Sequence, residues 1–143
     1  MTETEAVQAW KDSAVEDLET AEELLKLGKK HHALFFVHMA LEKILKGLHQ
    51  FLKHQPSPYI HDLYKLATET GLEVSEDEKL ELDEISTFNV AARYDIFKQR
   101  LYHKATEEFT EKWMGVGKKL FSKYLEAYKW TMLYPSEKNL LEK

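Results

Sequence analysis

Between Lys30 and His54 the chain repeats apolar residues at steps of three and four without one proline. Ala33, Leu34, Val37, Ala40, Leu41, Ile44, Leu45, Leu48 and Phe51 form a wide stripe, which Phe35, Phe36 and Leu52 broaden. That period belongs to an α-helix. A stripe so wide predicts a central helix that touches several neighbours. Gly47 interrupts it, and a glycine inside a helix costs about 1 kcal/mol relative to alanine unless a close crossing uses the missing side chain.

The same period extends the prediction along the chain. Val7, Trp10, Ala14, Leu18, Ala21 and Leu25 mark a helix from about 4 to 27, with Gly28 as its stop. Pro56 and Pro58 break the chain, and a short helix follows over about 62–70, ending at Gly71. Ser75 and Glu78 have capping-box spacing, which starts a helix over about 76–88 that buries Leu82, Ile85 and Phe88. Residues 89–105 mix aromatic and basic side chains without a clean stripe and read as a loop with a helical turn. Thr106 can cap a last helix, whose stripe is Phe109, Trp113, Val116, Leu120, Tyr124 and Tyr128, ending near Leu133. The expectation is an all-α fold: an antiparallel up-and-down four-helix bundle with one additional short helix, in one domain over 1–143, with a core of about 4–133 and a flexible tail at 134–143. Trp10, Trp113 and Trp130 are expected in the core or an interface.

Composition narrows the function. No cysteine is present, so disulfides and thiolate metal sites are excluded. The acidic start carries no apolar run, and no stretch approaches the ~18 apolar residues of a membrane span. A cytoplasmic protein without membrane attachment suits these features. No glycine-rich phosphate loop, nucleophile elbow or zinc pattern occurs, so neither cofactor nor metal is expected. His38 and Glu42 share a helix face, but two such residues do not make a metal site.

The net charge of −5 is unevenly spread. From Glu3 to Glu23 acids dominate. From Lys26 to His54, six lysines and five histidines face Glu42 alone. Asp62 to Glu84 is acidic again, and Arg93 to Lys104 is basic. A local basic cleft can therefore concentrate an anion on an acidic protein. Arg93, Tyr94, Arg100, Tyr102 and His103 supply guanidinium forks, rings for stacking and a proton carrier, the chemistry of a phosphate site. The structural alternative pairs Arg93 with a carboxylate such as Glu42. His31 and His32 are read as surface residues, and His61 as a contributor to the cap of the short helix.

Three fragments, in order, resemble the HEPN family: Ala40-Leu41-Glu42-Lys43-Ile44-Leu45-Lys46 on the second helix, His61-Asp62-Leu63 opening the short one, and Ala92-Arg93-Tyr94 beyond the fourth helix. The family's threonine before His-Asp-Leu is replaced by Ile60. The helix plan agrees over about residues 8–130. The resemblance implies a homodimer with RNA or nucleotide at an inter-subunit cleft. In many members it also implies a minimal nucleotidyltransferase partner in a toxin–antitoxin pair, and metal-independent ribonuclease activity. With the chemistry of the basic segment, this makes Arg93, Tyr94, Arg100, Tyr102, Lys43 and Lys46 the expected phosphate- or RNA-binding set, and Arg93 and His103 the candidate catalytic pair. Family nucleases place a histidine after the arginine with four to six residues between the two. Here Lys98, Gln99 and Arg100 stand at those spacings, and His103 comes later. A dimeric binding protein with weak or absent cleavage is therefore expected. A metal-independent endoribonuclease of unusual spacing and a pure protein-interaction bundle are the alternatives.

Overall fold

In the computed structural model the backbone is described for residues 1–93 and 95–133, and side chains for 1–89 and 98–129. The described residues form helices and no strand: α1 (Glu3–Lys26), α2 (Lys30–Lys53), α3 (Leu63–Glu69), α4 (Glu76–Arg93), α5 (Asp95–Lys104) and α6 (Glu107–Leu133). Four are long, while α3 and α5 are short. The tail expected at 134–143 lies outside the described residues.

Helix α2 packs against all five others. Its apolar stripe is fully buried from Ala33 to Leu48, and His38, Glu42, Lys46 and His49 are buried with it. Its two ends are set differently. Gly28 (φ 75°) ends α1: its N–H donates to Leu25 O at 3.0 Å and that of Lys29 to Leu24 O at 2.9 Å. This is a Schellman turn, and it needs the left-handed conformation that glycine adopts without strain. Because only Leu27, Gly28 and Lys29 separate two long helices that pack together, α1 and α2 run antiparallel.

Gly47 marks a close three-helix crossing. A Cβ there would lie 2.6 Å from Tyr128 Oη and 2.7 Å from Trp10 Cβ, so α1 and α6 both approach α2 at this point. Tyr128 Oη donates to the Ile44 carbonyl at 2.8 Å, and its ring stacks on Phe51. A second close approach puts Gly117 of α6 on Val37. Trp113 packs edge-on against Phe88 in the core.

Two expectations need correction. Residues 89–105 are not a loop, since α4 continues to Arg93 and α5 occupies most of the remainder. Only Leu101 of the described α5 side chains is buried, so this helix carries no apolar stripe for periodicity to detect. His61 does not cap α3; Asp62 does, accepting from the Lys65 N–H at 3.1 Å. The Ser75 signal is half right. Ser75 Oγ accepts from Glu78 N–H at 3.1 Å, but the Glu78 carboxylate reaches α6 and meets Tyr124 Oη at 2.9 Å and Lys123 Nζ at 2.5 Å.

Candidate functional site

The residues of the family-like fragments on α2 and α3 knit the fold together. Buried Glu42 accepts from His61 Nδ1 at 2.6 Å and faces Lys46 Nζ at 3.6 Å. The His38 ring nitrogen Nε2 lies 3.2 Å from the His61 carbonyl and donates to it. Lys46 is 6 % exposed and lies between the rings of Trp10 and Tyr59, 5.7 Å from each centroid. Ser57 Oγ donates to the Lys46 carbonyl at 2.7 Å. Together these contacts clasp the segment before α3 onto α2. They also engage Glu42, the carboxylate considered for Arg93. Lys43 turns to α1, where its ammonium donates to Ser13 Oγ at 2.8 Å and lies 2.7 Å from Asp17 Oδ2.

Tyr102 and His103 lie elsewhere. Leu101 and Ala105 are buried and anchor α5 to the bundle, and Lys104 Nζ reaches Glu84 Oε1 of α4 at 2.5 Å. This leaves Tyr102 and His103 facing outward beside the start of α2. The Tyr102 ring meets that of His31 edge-on at 5.5 Å and that of His103 at 5.4 Å. The rings of His31 and His32 approach to 4.0 Å.

These groups line a cleft of about 450 Å³ with Gly28, Lys29, Lys30 and Ala105. No carboxylate is among its described lining residues. Neither Lys29 nor Lys30 has an ion-pair partner among the described residues, whereas Lys118, Lys119 and Lys123 of α6 all have one. The start of α2 faces the same space. No side chain caps it, no acidic residue occupies its first turn, and the first intrahelical bond begins at the Ala33 N–H. Positive side chains there oppose the helix dipole, so local stability does not explain them. Burial, then the charges of His32 and Lys98, push the His31 pKa below its ordinary value. The cleft is thus a concentrated positive field with imidazoles that can carry protons and an exposed phenol ring that can stack.

Of the residues singled out from sequence, Tyr102 and His103 meet in this cleft. Arg100 is exposed on α5 and does not line it. Lys43 lies 12 positions beyond His31 on α2, a distance of about 18 Å at 1.5 Å per residue, and Lys46 lies farther still. The Arg93 and Tyr94 side chains lie outside the described residues. Lys29, Lys30, His31 and His32 join the site although sequence reasoning placed the two histidines on a plain surface. The available signal was the run Lys29-Lys30-His31-His32 at a helix start, where acids and capping residues are preferred. Among the described residues no cluster of three or more His, Asp or Glu side chains is placed to hold a metal ion. No described helix is long and apolar enough to cross a membrane.

Comparison with known proteins completes this picture. No curated protein matches the chain closely enough to count as a relative. The crystal structure of TT1696 from Thermus thermophilus shares its fold, with a TM-score of 0.71 at 22% identity, over 85% of this chain and 97% of that one. The family model described as HEPN domain matches residues 7–129. That match covers most of the sequence and reaches every helix described above, and the chain belongs to the HEPN domain family.

Proposed function

We propose that the protein binds RNA or nucleotide phosphate through the cleft between the α1–α2 turn and α5, as a homodimer, and does so without efficient cleavage. The observation that carries this reading is the cationic lining of the cleft, without ion-pair partners or lining carboxylates among the described residues, on a chain with net charge −5. Cations without acidic partners are held ready for an anionic ligand. Family membership supports the same class of ligand. The homodimer rests on that resemblance and on half-buried aromatic side chains of α2 and α6, such as Phe35 and Trp113. A minimal nucleotidyltransferase encoded beside the protein is the partner proposed.

The test is a titration of single-stranded RNA at two salt concentrations. Lys29→Ala with Lys30→Ala should weaken binding of all sequences alike. The slope of log K against log salt should fall by about 0.7 for each phosphate no longer neutralised. Unchanged affinity and slope would remove the cleft from the binding function.

The second reading is a metal-independent endoribonuclease. The observation favouring it is the gathering of the imidazoles of His31, His32 and His103 around one cavity, where a proton carrier is needed. Cleavage of RNA in EDTA by the wild type, abolished by both His103→Ala and Arg93→Ala, would establish it in place of pure binding. Absence of cleavage alongside binding is the expected result.

A further inference from the structure

We propose that this cleft is an end-recognition site, which holds the terminal phosphate monoester of a nucleotide or RNA end between Lys29, Lys30, His31 and His103 and stacks the adjoining base on Tyr102. The inference rests on the binding function proposed above and names the chemical form of the ligand.

Size is the first argument. A cavity of about 450 Å³ lies toward the small end of the roughly 300–1,000 Å³ range of small-ligand sites. It has room for one nucleotide. Grooves that track a single strand instead accommodate about 4–16 nucleotides along a continuous basic path. The lysines that would extend such a path along α2 are committed elsewhere, Lys43 to Ser13 and Asp17 and Lys46 to Glu42. Along α2 the next described lysine without an ion-pair partner is Lys53, at the opposite end of the helix, so the charge at Lys29 and Lys30 does not continue as a track along it.

Charge and oxygen count are the second argument. A phosphate monoester carries about −1.5 to −2 at pH 7 and presents three strong acceptor oxygens. An internal phosphodiester carries a single negative charge and has two free oxygens. Two ammonium groups without ion-pair partners among the described residues, and several imidazoles in one cavity, match the first better than the second. The described lining residues include no carboxylate to repel a dianion. The amides of Lys30, His31 and His32 open a helix of 24 residues and bond to nothing among the described residues, so they add donors on the same side.

The ring geometry is the third argument. Tyr102 is 62% exposed, and its edge-on contacts with His31 and His103 leave it placed beside the cationic groups. A base attached to a phosphate held by Lys29 and Lys30 meets this ring first. One exposed ring suits one base.

Titration calorimetry at fixed salt tests the proposal with five probes: a uridine tetramer with a 5′-phosphate, one with a 3′-phosphate, one with hydroxyls at both ends, uridine 5′-monophosphate and inorganic phosphate. A phosphorylated end should bind about tenfold or more tightly than the hydroxyl-ended tetramer, as one to three added charge-assisted contacts predict. The better of the two phosphorylated tetramers identifies the end that is read. The monophosphate arm shows whether a free nucleotide suffices, and competition by inorganic phosphate shows that the anion itself is held. The Lys29→Ala, Lys30→Ala double variant and His31→Gln should erase the advantage. These positions are exposed or half-exposed, and unchanged circular dichroism confirms the fold. Equal binding of all three tetramers would overturn end recognition and leave the binding function standing. No binding of any oligomer would overturn both. An advantage that survives in the double variant would overturn the assignment to this cleft.

Discussion

At the residue scale, His31 is the most informative side chain. Burial first, and then the nearby charges of His32 and Lys98, hold its pKa below the ordinary value near 6.5. The other polar groups facing it in the cleft are Lys29, Lys30, Tyr102 and His103. The unfolded chain takes up this proton at about pH 6.5, and the folded one does so only at lower pH. Between those limits the unfolded state binds more protons, so the His31 contribution to stability falls as pH drops through about 6.5. A bound dianion reverses the electrostatic part of that effect. Sulfate stays a dianion across this range, so it should raise the melting temperature more at pH 6 than at pH 7.5. His31→Gln should remove the difference. Equal gains at both pH values in the wild type would mean that sulfate acts only through exclusion from the surface.

At the element scale, the fold depends on helices that approach closely at chosen points. Alanine in place of Gly47 gains about 1 kcal/mol of helix propensity. The added methyl, however, would sit 2.6 Å from Tyr128 Oη and 2.7 Å from Trp10 Cβ. Overpacking of this kind costs typically ~1–3 kcal/mol. Because neither the Trp10 Cβ nor the hydrogen-bonded Tyr128 can yield cheaply, Gly47→Ala should lower stability, seen as an earlier midpoint in urea. A later midpoint would show that α1 and α6 can move apart there. Glu78 joins α4 to α6 by the same logic. Removing its carboxylate leaves the buried Tyr124 hydroxyl without its acceptor, a loss of about 1–3 kcal/mol, so Glu78→Ala should be clearly destabilising in the same assay. Burial and the adjacent Glu78 already push the Tyr124 phenol well above its ordinary pKa. It stays a neutral donor throughout the usual pH range.

At the scale of the whole molecule, two copies of the chain should pair. Sedimentation at tens of micromolar should show a dimer whose interface buries more than about 1,000 Å² in total. A monomer at that concentration would remove the inter-subunit part of the proposed function, while the cleft itself is built within one chain. The contribution of Arg93 is testable independently of its side-chain position. Comparing RNA affinity of Arg93→Ala, Arg100→Ala with that of Lys29→Ala, Lys30→Ala shows whether the arginines bind alongside the cleft. An effect confined to the lysine pair would leave the arginines outside the binding surface.

Local physics carried the elements far. The apolar period of 30–54, the glycine after α1, Ser75 before α4 and Thr106 before α6 are interactions within a few residues, so the sequence alone determined every helix but α5, and the all-α class. It also determined that α2 is central, because a stripe that wide has to be covered on several sides. It did not determine α5, whose described side chains are mostly exposed and whose helicity leaves no apolar rhythm to read. Nor did it determine what each lysine does. Lys46 and Lys29 look alike in sequence, yet one lies buried against Glu42 and between two rings while the other is exposed at a cleft. That difference is set by residues distant along the chain. Tyr102 and His103 were legible as chemistry, but their partners Lys29, Lys30, His31 and His32 come from the far side of the sequence. Only the packing of α5 against the amino end of α2 brings the two groups together, because the buried anchors Leu101 and Ala105 fix which face of α5 turns outward.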